Sequence, residues 1–283
     1  MIILAKIIIT ITIVTTLSVV AERVSPRAAG LLSGYPLGSA IALFFIGLEQ
    51  GADFAGRSAL YNIAGLAGLL TFIFLYYRIS AGMARKAARA SIPAATLAGL
   101  AGFFLVNGAL YSLHLPGWVA ALTGCAAILF YRGVFRRIPN VTIGAPGGDT
   151  TVKRVRLQPA AMLFRSGVAA GVILLVTGAA HLVPPSWAGL FSAFPATLLP
   201  LLLILHANYG PAPAHTVIKN TPTGLGALVL YSLSISAAYP RVGIGWGSLL
   251  GFAAATAYLL ALAAAHRYAV GHSAKANATL HHG

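Results

Sequence analysis

The sequence predicts an all-α polytopic membrane protein, with about nine transmembrane helices in two inverted-topology repeats. Three observations predict it. Of the 283 residues, 58% are hydrophobic and only 8% charged, with a mean hydropathy of +0.85; a soluble domain is about a quarter charged. Apolar runs of about 20 residues, enough to cross a ~30 Å hydrocarbon core, recur along the length. They are continuous rather than alternating, which argues against a β-barrel, and a backbone in lipid must satisfy its own hydrogen bonds, which makes helices the default. Third, one unusual segment occurs twice, as AGLLSGYPLGSAIALFFIGLEQG over Ala29–Gly51 and AGLFSAFPATLLPLLLILHANYG over Ala188–Gly210. A constant offset of 159 residues (189−30, 192−33, 195−36, 210−51) aligns Gly30 with Gly189, Ser33 with Ser192, Pro36 with Pro195 and Gly51 with Gly210. Internal duplication in a membrane chain points to a transporter and to where its site lies.

Hydropathy places spans at roughly 2–21, 28–48, 55–77, 92–113, 117–135, 160–182, 187–207, 215–236 and 245–268. The first resembles a signal peptide. However, the second copy is preceded by an equivalent run, 160–182, deep inside the chain, so both read as membrane helices. Lys and Arg set the orientation. Arg78, Arg85, Lys86 and Arg89 follow the third span, and Arg136, Arg137, Lys153, Arg154 and Arg156 follow the fifth. The loops near 114–117 and 183–187 carry neither residue type. The rich loops fall inside and the poor ones outside, with the N-terminus external, the C-terminus cytoplasmic, and Arg57 and Arg241 as exceptions. The second and seventh spans, five apart, then cross in opposite directions. The chain divides into a first membrane repeat (1–113), a connector helix and cytoplasmic loop (114–158), a second repeat (159–270) and a disordered tail (271–283). The Gly144–Ala–Pro–Gly–Gly–Asp149 stretch lacks the Lys-Ser/Thr of a phosphate loop and reads as a flexible turn.

Charge excludes more than it selects. Nineteen Lys and Arg against four acids give a formal +15. In a chain without a basic soluble module this reads as topology and contact with anionic lipids, not nucleic acid. A single cysteine, Cys125, rules out an intrachain disulfide and a Cys-based metal cluster. There is no HExxH, no GxSxG and no clustered His–carboxylate set, so neither an enzyme, a metal site nor a cofactor is expected.

The candidate site lies in the duplicated segment. Gly30, Ser33, Gly34, Pro36, Gly38 and Ser39 crowd the start of one span, and Gly189, Ser192 and Pro195 repeat the device. Proline removes a donor and clashes with the preceding turn, and glycine lowers the cost of leaving helical dihedrals. A kinked or broken helix follows, and broken backbone at membrane depth needs protein or a wet cavity to cover it. Such ends present amides or carbonyls to a solute; the alternative is that the small residues serve close helix packing. Glu49 and Asp53 are four apart, with Arg57 one turn further. They form either a coupling or gating set or an ordinary polar loop at the interface. Asn62, Asn107, Tyr61 and Tyr111 either line a polar path or bond neighbouring helices, the second being preferred for Asn107. His206 reads as hydrogen-bonded packing, and Tyr76, Tyr77, Trp118, Tyr131, Trp187 and Trp246 as interfacial anchors.

The stretch from Ala21 to Ala55 resembles the GlpM-like group of small bacterial inner-membrane proteins. The resemblance rests on an R-x-x-G-h-h-x-G-h-P core, here Arg27, Gly30, Gly34 and Pro36, and on the following Glu49–Gln50–Gly51. The second copy matches weakly, with Ala193 for the second glycine and Asn208–Tyr209 for Glu–Gln. The group brings no defined activity with it. The inverted layout is also similar to the drug/metabolite transporter superfamily, which usually has five plus five spans.

These readings converge on an expectation: a secondary transporter or flippase-like carrier of a bacterial inner membrane. Its cargo is a small solute, anionic or lipid-linked, bound near the midplane by Gly30, Ser33, Pro36, Ser39, Gly189, Ser192 and Pro195. Glu49, Asp53 and Arg57 supply coupling or gating. A channel and a non-transporting scaffold for envelope enzymes are the alternatives, and a homo-oligomer is compatible with either.

Overall fold

The computed structural model describes residues 3–4, 6–12, 15, 26–83, 88–140 and 159–280. Glu22, Arg23, Arg85, Lys86 and the loop 141–158 lie outside the described residues. Every described element is helical: α1 (Pro26–Ser33), α2 (Leu37–Gln50), α3 (Ala52–Met83), α4 (Ala88–Ser112), α5 (Gly117–Phe135), α6 (Pro159–Ala179), α7 (Pro185–Ser192), α8 (Leu198–Tyr209) and the run Pro211–Leu280. The described residues between 3 and 12 are also helical.

Among the described residues, five stretches are long and apolar enough to cross a membrane: Ala29–Gln50, Ala52–Met83, Ala90–Ser112, Gly117–Phe135 and Pro211–Ala265. Ser166–Ala179 and Leu198–Tyr209 are shorter apolar helices. The chain is thus all-α, built from the helices of a membrane protein.

The 70-residue run Pro211–Leu280 is not one rod. Gly243 breaks it with φ 79° and ψ 173° into arms 211–242 (α9) and 244–280 (α10). The arms fold back on each other: Tyr239 Oη and Ser248 Oγ share a hydrogen bond of 2.8 Å, and Tyr258 Oη donates to the Thr223 carbonyl at 2.8 Å. The Tyr231 and Phe252 rings meet between these contacts, 5.1 Å apart. α10 continues to Leu280, over most of the tail expected to be disordered; Ala274, Ala276 and Ala278 favour helix there.

The duplicated segments take one local structure twice. α1 ends at Ser33 and α7 at Ser192, and each end tightens into short-range turns. Gly34 and Tyr35 donate to the Leu31 and Leu32 carbonyls (3.2 and 3.0 Å), and Ala193 and Phe194 to Leu190 and Phe191 (3.4 and 2.9 Å). Pro36 and Pro195, lacking an N–H, sit in the gap, and helix resumes at α2 and α8. The break expected from Pro36 and Pro195 is therefore present in both.

Both copies then turn sharply on a glycine. Gly51 has φ 94° and ψ 162°, and Gly210 has φ 78° and ψ −178°. Only glycine adopts this region without strain. Space is not limiting, since a Cβ at either position meets nothing within 4 Å. Gly51→Ala and Gly210→Ala are each expected to cost about 1–3 kcal/mol, read as lowered unfolding midpoints in detergent. Gly82→Ala, in a helix with equally open space, is the control and gains up to about 1 kcal/mol.

Two buried apolar clusters flank the breaks. One joins the later part of α3 (Leu66, Leu70, Phe72) to α8 (Leu198, Leu202, Leu205) and the start of α9 (Val217, Ile218). The other joins α2 (Leu43, Ile46) and the start of α3 (Ala55, Ala59) to the end of α9 (Tyr231, Ile235, Tyr239).

Candidate functional site

The two breaks face each other in the interior. A Cβ on Gly38 would lie 3.9 Å from both Ala196 Cβ and Thr197 Cγ2. Beside this contact Ser39 Oγ, in the first turn of α2, donates to the Ser192 carbonyl at the end of α7 (2.9 Å). Asn62 of α3 ties the pair together. Its Nδ2 donates to Ser192 Oγ at 2.7 Å and to Ser39 Oγ at 3.2 Å, and its Oδ1 accepts from Ser232 Oγ of α9 at 2.9 Å. Ser192 Oγ in turn donates to the Gly189 carbonyl (2.7 Å). Asn62 and Ser232 are 0% exposed, Ser192 4% and Ser39 6%. Four elements thus meet in one uncharged, hydrogen-bonded knot of hydroxyl and amide groups.

The other serine of the pair has its own partner. Ser33 Oγ donates to the Gly30 carbonyl at 2.7 Å and lies 3.0 Å from Thr221 Oγ1 of α9. Gly30 and Gly189 line no open space. A Cβ on Gly30 would come 2.6 Å from the Val217 carbonyl oxygen, and one on Gly189 would collide with the Ser58 carbonyl. Both are positions of close helix approach, so packing accounts for these two glycines. A Cβ on Gly65 would lie 2.6 Å from the Leu190 oxygen, and one on Gly224 would collide with the Leu31 oxygen. Three partnerships recur at the offset of the duplication, Gly30·Val217 as Gly189·Ser58, Ser33·Thr221 as Ser192·Asn62 and Leu31·Gly224 as Leu190·Gly65, so one contact pattern is used twice.

Of the charged candidates, Glu49 alone is drawn inside. Lys6 Nζ lies 2.7 Å from Glu49 Oε1 and donates to Oε2 at 2.8 Å, and it also donates to Thr177 Oγ1 of α6 at 2.7 Å. The Lys6 side chain is 5% exposed and that of Glu49 11%. Phe45 places its ring 5.6 Å below the ammonium, which a cation finds favourable. His181 Nε2 stands 3.4 Å from Glu49 Oε2. Asp53 and Arg57 are exposed, and among the described residues no ion pair joins either to Glu49. The structure thus separates the three. Lys6, from the N-terminal apolar run, is the partner of Glu49.

The two glycine turns are closed differently. Gly47, one turn before Gly51, packs on Ile244 and Tyr239, and Gly56 packs on Pro240. The equivalent positions before and after Gly210 are His206 and His215. His206 Nδ1 is 3.0 Å from Tyr76 Oη and its Nε2 3.3 Å from Ser91 Oγ. His215 Nε2 is 2.7 Å from Ser80 Oγ, and its ring meets Tyr77 edge-on at 4.8 Å. Tyr76, expected as an interfacial anchor, is 0% exposed; its hydroxyl has this imidazole to bond, which makes burial affordable. Asn107, expected to bond a neighbouring helix, abuts Gly68 and finds no hydrogen-bond partner for its amide among the described residues.

A cavity of about 140 Å³ lies near the 113–116 turn, lined by Tyr61, Ala64, Tyr111, His114, Ser186 and Leu190 among others, none of them a residue of the knot. Neither break lines it: none of residues 34–37 or 193–197 is among its walls.

Fold and site together define an all-α protein with helices long and apolar enough to cross a membrane and an uncharged polar centre between two broken helices. No protein-family model, curated protein or solved structure matches the chain.

Proposed function

We propose that this chain is a secondary carrier, moving a small solute by alternating access around the Ser39–Asn62–Ser192 knot. The observation that carries this reading is the doubled contact pattern around the two breaks. In each copy a broken helix leans on a long helix of the other copy, Ser33 on Thr221 and Ser192 on Asn62. Two such halves can rock against each other about one centre.

The inverted arrangement is supported by contact register. Gly30, Ser33 and Gly34 lie beside Val217, Thr221 and Gly224 in rising order, so α1 runs with α9. Gly189 and Ser192 lie beside Ser58 and Asn62, so α7 runs with α3. Because α3 doubles back on α2 at Gly51, α1 and α7 run in opposite directions. Counting the N-terminal helix, the two broken segments and both arms around Gly243, this layout has nine spans. The turns near 114 and 185 lie together, since the Tyr111 and Trp187 rings are 4.6 Å apart, as an orientation with both outside requires. The bacterial inner membrane and kinship with GlpM-like proteins remain part of this proposal, resting on Arg27 to Gly51. The solute's anionic or lipid-linked character rests on the +15 balance. The buried Lys6–Glu49 pair is the candidate for coupling, because ionisable groups inside a span are costly to keep.

The test uses the full chain with Cys125→Ser and a single cysteine at Ser39, in vesicles of either orientation. A carrier lets a membrane-impermeant thiol reagent reach Cys at 39 from both sides, with reaction slowed when one side is locked by a cross-link. Reaction from neither side would overturn the carrier reading in favour of a scaffold. Simultaneous access from both sides would favour a channel.

A further inference from the structure

The cavity at the 113–116 turn has a chemistry that the carrier reading does not use. Its volume of about 140 Å³ is close to that of an apolar protein cavity that holds one benzene ring, about 150 Å³. Its walls mix apolar side chains (Ala64 from α3, Leu110 from α4, Ala120 from α5, Leu190 from α7 and the rings of Tyr61 and Tyr111) with the polar groups of His114 and Ser186. Behind Tyr111 the wall is reinforced by Trp187, 4.6 Å from the Tyr111 ring and stacked at 4.6 Å and 12° on Phe191.

The polar groups around it are biased in one direction. Tyr61 Oη donates its proton to the Leu115 carbonyl at 2.9 Å, so its oxygen keeps only acceptor capacity. His114 Nδ1 lies 2.8 Å from the Ser112 carbonyl. A carbonyl only accepts, so Nδ1 carries the proton, and in the neutral ring Nε2 is an acceptor. Two committed donors therefore leave two acceptors among the residues that line this small cavity, with the Ser186 hydroxyl able to play either part. His114 also holds φ 48°, the one non-glycine residue with positive φ among the described residues. That backbone closes the end of α4, where the His114 N–H donates to the Tyr111 carbonyl at 3.0 Å, and it fixes the ring at the rim of the cavity.

We propose that this cavity binds a small neutral aromatic molecule carrying one O–H or N–H donor, phenol being the simplest member of the class. The ring fills the apolar walls and the donor meets His114 Nε2 or Tyr61 Oη. The proposal is independent of the carrier reading, since it needs no movement of the two halves.

The test follows 4-fluorophenol and 4-fluorotoluene, near-isosteres with and without the donor, by fluorine NMR on the full chain in micelles. Empty micelles give the partitioning baseline. Saturable binding is expected for 4-fluorophenol, roughly 3- to 10-fold tighter than for 4-fluorotoluene, the range one net hydrogen bond supplies. His114→Gly combined with Tyr61→Phe, which removes both acceptors, should bring the two affinities within about twofold of each other. Ala120→Leu, which fills the cavity, should abolish saturable binding of both. Should that variant not fold, Ala64→Val fills the same space from α3. Equal affinities in the unmodified chain, no saturation above the micelle baseline, or binding unchanged by the filling variant would each overturn the assignment.

Discussion

Glu49→Gln should lower the stability of this chain by about 3–5 kcal/mol, because it leaves the Lys6 ammonium buried without its counter-charge. The ammonium is 5% exposed and keeps only Thr177 Oγ1 and the face of Phe45. Lys6→Met should cost a similar amount, for then the Glu49 carboxylate loses its cation and keeps His181 at 3.4 Å. The double variant Lys6→Met/Glu49→Gln should recover most of the loss, since removing both charges of a buried pair is often neutral. Unfolding midpoints of the four proteins in one detergent give the coupling energy directly. If the losses simply add, the pair is not the unit that geometry makes it. In proteoliposomes, a double variant that is stable yet no longer responds to a proton gradient would assign coupling to the pair. Asp53→Asn and Arg57→Ala, both at exposed positions, should leave stability within about 0.5 kcal/mol of the original.

Asn62→Leu should be the second most damaging change. The substitution keeps bulk but strands the Ser232 hydroxyl, whose acceptor is Asn62 Oδ1 at 2.9 Å. One buried unsatisfied group costs about 1–3 kcal/mol. Ser39 and Ser192 fare better, because each still donates to a carbonyl, of Ser192 and Gly189 respectively. The stability loss should therefore follow Ser232: Asn62→Leu combined with Ser232→Ala should be more stable than Asn62→Leu alone. Transport should not return with stability, since the amide that bridges the two breaks is gone. Recovery of flux in the double variant would remove Asn62 from the site.

What was readable in the sequence follows from the range of each interaction. The breaks at Pro36 and Pro195 are local consequences of a missing N–H and neighbouring small residues, and they appear where the residues place them. The 117–135 span coincides with α5, because its apolar run is bounded by Pro116 and by Arg136–Arg137. The spans 215–236 and 245–268 are joined in one helical run whose reversal rests on Gly243 alone; hydropathy sees the gap but not the conformation. Partners were not readable. Lys6 meets Glu49 across 43 residues and Thr177 across 171, and Asn62 meets Ser192 across 130. In a chain with four acids, Asp53 and Arg57 were the nearest companions that spacing offered Glu49. The actual companion comes from another helix, where no periodicity points. Gly30 and Gly189 show the converse: duplication marks them, but the same small side chain serves a solute site and a tight helix contact equally well.

The unequal closure of the two glycine turns has a thermal consequence. Beside Gly51 the contact with α9 and α10 is largely apolar, Gly47 and Gly56 against Tyr239, Pro240 and Ile244, with the Lys6–Glu49 pair on another side. At Gly210 the contact is imidazole against hydroxyl, His206 with Tyr76 and Ser91, and His215 with Ser80. Wetting the first exposes apolar surface and raises the heat capacity, whereas wetting polar surface lowers it. The two turns therefore differ in how their opening would respond to warming, a difference set by the residues that the two copies no longer share.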